Sequence, residues 1–255
     1  MKKSLWILNA LVGLFLPLLL FLTWYITSRK TLIISSPEKV LETIETSLAN
    51  GFLFQNLLIS FQRVIKGFLI GASSGFILGT WMGLFKTTEK IVAPFFHAIR
   101  NVPVVGWIPL FIIWFGFGET SQVVFIAVGA FYPVVLNTFQ GIKGVRVEFI
   151  EVGQVFAFKR LKLFYKIILP AALPTVFTGI RFSLSISWML VVASELFGVS
   201  TGGIGNMMSD AREFFHIEIV IMGVLAIGGV GFVMNQMLAF IEDYLLQWKQ
   251  TALKG

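Results

Sequence analysis

The 255-residue sequence has no cysteine, which excludes disulfides and thiolate metal sites. Its two histidines, His97 and His216, stand far apart. No His-x-x-x-His pair and no carboxylates at metal-ligand spacing accompany them, so they read as helix-packing or interfacial residues and no metal site is expected. No Gly-x-x-x-x-Gly-Lys-Ser/Thr loop is present to cradle nucleotide phosphates. An acid, a base and a nucleophile do not converge anywhere, which disfavours an enzyme and leaves no catalytic residue to name. Charge is scarce as well, at 13% of residues, against about 25% in soluble domains. Internal repeats and low-complexity tracts are also missing.

What is abundant is hydrocarbon. Hydrophobic residues make up 56% of the chain and the mean hydropathy is +0.86. A bilayer core takes roughly 20 apolar residues per helix, and six runs qualify: Leu5–Ile26, Phe61–Phe85, Ile91–Gly116, Ser121–Gly141, Leu173–Phe197 and Ile217–Ile241. The third is interrupted by Pro94, His97, Arg100, Asn101, Pro103 and Pro109. The six spans and their connectors use residues 1–255, so one all-α, polytopic membrane domain is expected, with no separate soluble domain. Lys2 and Lys3 before an apolar run invite a secretory-signal reading. The run exceeds the usual signal core and Trp24-Tyr25 suits an interfacial anchor, so a retained span is the expectation.

Orientation follows from lysine and arginine. With both termini cytoplasmic, Lys86, Lys90, Lys143, Arg146, Lys159, Arg160, Lys162 and Lys166 share the inner side with the terminal lysines. Only Arg29, Lys30, Lys39 and Arg212 face outward, as the positive-inside tendency requires. The net charge of +7 is thus a topology signal and implies no nucleic acid. In the outer connector, Ser36-Pro37 predicts a helix start. A helix with Val40, Leu41, Ile44 and Leu48 on one side should follow, lying on the outer leaflet or docking a partner.

One inner connector is unlike the rest. Glu148–Lys166 carries Glu148, Glu151, Lys159, Arg160, Lys162 and Lys166, so it cannot lie in hydrocarbon. It nevertheless keeps an apolar stripe of Phe149, Val152, Phe156, the Lys159 stem and Leu163 at helical spacing. That pattern predicts a short amphipathic helix on which another protein docks. Glu151 is favoured near its start by the helix dipole. Gly153 and Ala157, four apart, predict a small-residue strip for close approach. Leu169-Pro170 is expected to end the preceding structure, because the residue before proline avoids the α region.

The order Glu151-x-Gly153-x-x-x-Ala157, then Phe164, Ile167 and Leu169-Pro170, resembles the "EAA" loop of binding-protein-dependent ABC importer permeases. Here Ala157 replaces that loop's usual glycine, and Val152-Gly153 its double alanine. The resemblance covers residues 60–245, with 146–170 as coupling loop. Arg63-x-x-x-Gly67-Phe68, Gly75 and Gly79-x-x-x-Gly83 fit the family's second span. Asn101–Leu110, Trp114–Glu119, Phe131-Tyr132-Pro133, Ala171–Pro174, Gly179-Ile180-Arg181, Glu195 and Gly203-Ile204-Gly205 resemble the nitrate, sulfonate and taurine subfamily. Asp210–Phe214 is most like the sulfonate branch.

The resemblance implies a type I importer permease in the bacterial inner membrane. It implies a homodimer, two ATPase subunits holding ATP-Mg, and an external solute-binding protein, with no cofactor on this chain. Glu148, Glu151, Gly153, Ala157, Leu169 and Pro170 would carry the coupling. Aliphatic sulfonate is the expected cargo; taurine, nitrate or bicarbonate, and thiamine precursors are alternatives. Arg100, Arg181, Ser183, Ser185, Ser187 and Trp188 are candidate pathway residues, since charge and hydroxyls within spans are costly. For Arg181 snorkelling is the competing reading, and for Arg100 satisfaction of broken-helix carbonyls. Glu195 reads as structural. A stand-alone ion-coupled carrier would need midplane carboxylates and repeated halves, which the sequence does not offer.

Overall fold

The computed structural model describes residues 2–31, 34–99 and 101–246, with side chains from Phe15 onward. Arg100 and the terminal lysines Lys249 and Lys254 lie outside the described residues. The described chain is all-helical. Helix α1 (Lys2–Ser28) leads to α2 (Pro37–Ala49) and the long α3 (Phe52–Leu84). Next come α4 (Lys86–Ile99), α5 (Ile108–Phe115), α6 (Glu119–Lys143), the short α7 (Val147–Val155) and α8 (Arg160–Leu163). The chain closes with α9 (Leu169–Leu196), α10 (Ile204–Glu213) and α11 (Ile217–Leu245).

Among the described residues four helical stretches are long and apolar enough to cross a bilayer: α3, α6, Arg160–Leu196 and α11. The expected third span is not one straight helix. Helix α4 and the stretch Val104–Phe115 meet at 86°, and together they qualify as one broken span or a re-entrant loop. Pro103, before a 3₁₀ turn at Val104–Trp107, lacks the N–H that a continuous helix would use there. The part of α1 whose side chains are described, Phe15–Ser28, is apolar but short.

Helix α6 is the centre of the bundle, clasped by α3 on one side and α9 on the other. The α3 contact rests on Gly67, Gly71, Gly75, Gly79 and Gly83, a stripe at four-residue spacing. A β-carbon on Gly75 would lie 2.8 Å from the Phe131 carbonyl, and one on Gly79 2.7 Å from that of Val135. Only glycine lets the two backbones approach this closely. Val64, Ile126, Phe125, Leu190 and Trp188 fill the core where α3, α6 and α9 meet.

Helix α2 starts where Ser36-Pro37 predicts, with the Ser36 hydroxyl accepting from the Lys39 N–H at 3.3 Å. It buries Val40 and half-buries Ile44 against α10 and α11. Leu41 and Leu48, expected on that same side, are exposed.

Candidate functional site

At one end of the bundle the chain leaves α6 and makes α7. Glu148 in its first turn meets Arg146, Oε2 to Nε 3.3 Å. Its own backbone N–H, and then Arg146, hold its carboxyl below the ordinary range. Glu151 is exposed one turn on. The helix ends at Phe156–Phe158, where the Phe158 N–H donates to the Gly153 carbonyl (3.0 Å) and the Ala157 N–H to that of Gln154 (2.8 Å). That pair of hydrogen bonds is a Schellman cap, and Ala157 occupies its left-handed position at φ 54°.

Two expectations for this segment need correction. Gly153 and Ala157 do not form an outward strip. Gly153 is buried, and a β-carbon there would sit 2.6 Å from Ile167 Cδ1, so it seats α7 on the helix that follows. Ala157 lies in the turn beyond α7. Leu169-Pro170 does not end a helix either: Leu169 is helical at φ −62°, ψ −49°, and Arg160–Leu196 runs as one 37-residue helix. A π turn at Phe164–Ile168 makes this possible. The Leu169 N–H reaches back five residues to the Phe164 carbonyl, shifting the ladder just before a proline that cannot donate.

What α7 and its turn present outward is apolar. Val147, Phe149 and Val152 are exposed, Val155 is 84% exposed and Phe156 69%, interspersed with Glu148 and Glu151. An apolar patch of this kind within a charged connector is a surface on which another protein can dock.

The candidate pathway residues on α9 divide between two faces. Ser183 and Ser187 are fully buried. The Ser183 hydroxyl donates to the Ala130 carbonyl of α6 at 2.8 Å, and that of Ser187 to the Ser183 carbonyl at 2.8 Å. They pack α9 on α6 and line no open space, contrary to expectation. Ser185 and Trp188 instead face a cavity of about 100 Å³ shared with Gly231, Met234, Asn235 and Leu238. The Trp188 indole N–H donates to the Ile227 carbonyl at 3.1 Å. Arg181 pairs with Glu242 of α11, Nη2 to Oε2 2.7 Å, so it does not stand as a lone charge.

A constellation not anticipated from sequence lies at the opposite end. Glu195 is fully buried; Arg63 Nη1 donates to its Oε1 at 2.8 Å and the Ser60 hydroxyl to its Oε2 at 2.8 Å. The N–H of Gly205, in the first turn of α10, donates to Oε2 at 2.9 Å, where the helix dipole favours an anion. Arg63 also donates to the carbonyls of Thr201 and Gly202, each at 2.8 Å. Gly203, at φ 101°, lies against the Glu195 carboxylate with no room for a β-carbon. The group ties α3, α9 and the loop before α10 into one knot. The available signal was two opposite charges in separate apolar runs, which in hydrocarbon must find each other.

Comparison with known proteins places this architecture. Residues 71–246 match the model of the binding-protein-dependent transport system inner membrane component family. The aliphatic sulfonates transport permease protein SsuC of Bacillus subtilis is 38% identical over 94% of this chain and 88% of its own length. The taurine transport system permease protein TauC of Escherichia coli is 33% identical over 85% of this chain and 80% of its own. Among solved structures, a chain of an amino acid ABC transporter superposes with a TM-score of 0.57 at 12% identity, covering 80% of this chain and 97% of the other. The chain is therefore a transporter subunit and not an enzyme: it belongs to the binding-protein-dependent transport system inner membrane component family, the permeases of ABC importers.

Proposed function

We propose that this permease carries small alkyl sulfonates inward through a homodimer, driven by two separate ATPase subunits that hold ATP-Mg and fed by an external binding protein. Both termini and α7 face the cytoplasm of a bacterial inner membrane. The observation that carries the coupling is the exposed apolar and acidic surface of α7. It sits outside the apolar spans and is seated on Arg160–Leu196 through Gly153, so a partner gripping α7 grips a spanning helix. Glu148, Glu151 and the apolar residues between them meet the ATPase. Gly153, Ala157, Leu169 and Pro170 hold that surface in shape.

The cargo reading rests on two relatives named for aliphatic sulfonates and for taurine, itself a sulfonate. Pathway roles stay with Ser185, Trp188 and Arg181, on the α9–α11 side, and with Arg100, which lies outside the described residues. Reversing the charge in Glu151→Lys tests the coupling. Membrane insertion should persist, while binding-protein-stimulated ATP hydrolysis and uptake by the assembled transporter drop at least tenfold. Unchanged coupling in that variant would remove α7 from the role.

A further inference from the structure

The α7 end of the bundle holds a second polar feature that coupling does not use. On α4, Lys86, Lys90 and His97 fall on one face, at i, i+4 and i+11, and border a pocket of about 410 Å³. Lys143, at the end of α6, closes its other side, and Pro94 contributes to its lining. Three ammonium groups face one carboxylate there. Glu89 pairs with Lys143 at 2.6 Å, so two positive charges are left over. Among the described residues neither Lys86 nor Lys90 has an acidic partner within ion-pair distance.

The other faces of α4 fix its surroundings. Phe96 is buried against Met82 and Val135, and the flank beyond the lysines carries Ile91 and Phe95, 69% and 74% exposed. A helix with a core face, a bare apolar ridge and a basic pocket between α4 and α6 suits the boundary between hydrocarbon and headgroups. An occupant must then bring an anion for the lysines and hydrocarbon for Ile91 and Phe95. A free oxyanion supplies only the first.

We propose that this pocket binds the phosphodiester headgroup of an anionic phospholipid from the leaflet on the α7 side. The phosphate oxygens accept from Lys86 and Lys90, the glycerol portion lies toward His97, and the acyl chains run along Ile91 and Phe95. Basic pockets between spanning helices are suited to such headgroups. The binding is independent of the cargo and of α7 docking.

The test uses the full chain in nanodiscs of phosphatidylcholine with phosphatidylglycerol, counting retained phosphatidylglycerol by native mass spectrometry after detergent exchange. Each lysine beside an anionic leaflet contributes about fivefold to binding, so Lys86→Gln with Lys90→Gln should weaken retention roughly 30-fold. Lys86→Arg with Lys90→Arg, and the exposed Lys166→Gln at the same end, should retain it as the parent does. Equal retention by the double glutamine variant overturns the site. Displacement of the lipid by millimolar inorganic phosphate or methanesulfonate would show a free-oxyanion site and overturn the headgroup assignment.

Discussion

Ala157 shows how one residue can hold a position meant for another. Its left-handed backbone costs a non-glycine residue about 1–2 kcal/mol, offset in part by the greater chain entropy that glycine loses on folding. Ala157→Gly should therefore tighten the cap by about 0.5–1 kcal/mol. Amide exchange at Ala157 and Phe158, whose N–H groups close the cap, should slow by roughly two- to fivefold; faster exchange would contradict the strain argument. The buried Arg63–Glu195 pair answers to a different rule. Removing one partner strands a charge, so Arg63→Ala should destabilise by about 3–5 kcal/mol. Arg63→Met combined with Glu195→Leu strands neither charge and should recover much of that loss in denaturant unfolding, although the Thr201 and Gly202 carbonyls still lose their donor. A double variant as unstable as the single one would show that geometry, not charge, governs the knot. Their charges in apolar runs called for a partner without saying which one: 132 positions separate them, and the fold brings α3 beside the end of α9.

Long apolar helices were legible because hydrocarbon length is written directly into composition. Runs matching α3, α6, α9 and α11 emerge from counting alone, and the prolines around Pro103 foretold the weakness between α4 and α5. The faces of α9 were not legible. Both hydroxyls bond the carbonyl one turn back, Ser187 to Ser183 and Ser185 to Arg181, yet Ser187 is buried in packing and Ser185 is exposed beside a cavity. Periodicity gives the spacing of these residues but not which neighbour each face meets. The cysteine-free chain allows a direct check with single cysteines. Ser185→Cys should react with a small thiol reagent in the folded protein, while Ser183→Cys and Ser187→Cys react at least tenfold more slowly. Comparable rates at all three would place the α6 contact of α9 in error. The π turn was hidden for a related reason: Leu169-Pro170 signals a break, and a one-residue shift of the ladder absorbs it.

For the molecule as a whole the cargo is the question growth can answer. In a strain lacking its own sulfonate uptake, this permease with its ATPase and binding protein should restore growth on an alkyl sulfonate as sole sulfur source. Rescue confined to nitrate as sole nitrogen source would move the cargo to another oxyanion. The continuity of Arg160–Leu196 also has a mechanical meaning. At 1.5 Å per residue, its 37 residues make a connecting rod about 55 Å long. One end bears on Gly153 and the other ends in the knot around Glu195. Pivoted near its middle, such a rod converts a tilt of about 5° into an excursion of about 2 Å at each end, in opposite directions. On the proposed coupling, a stroke that pulls α7 one way would swing the Glu195 end of this helix the other way, with no relay of small side-chain adjustments between them.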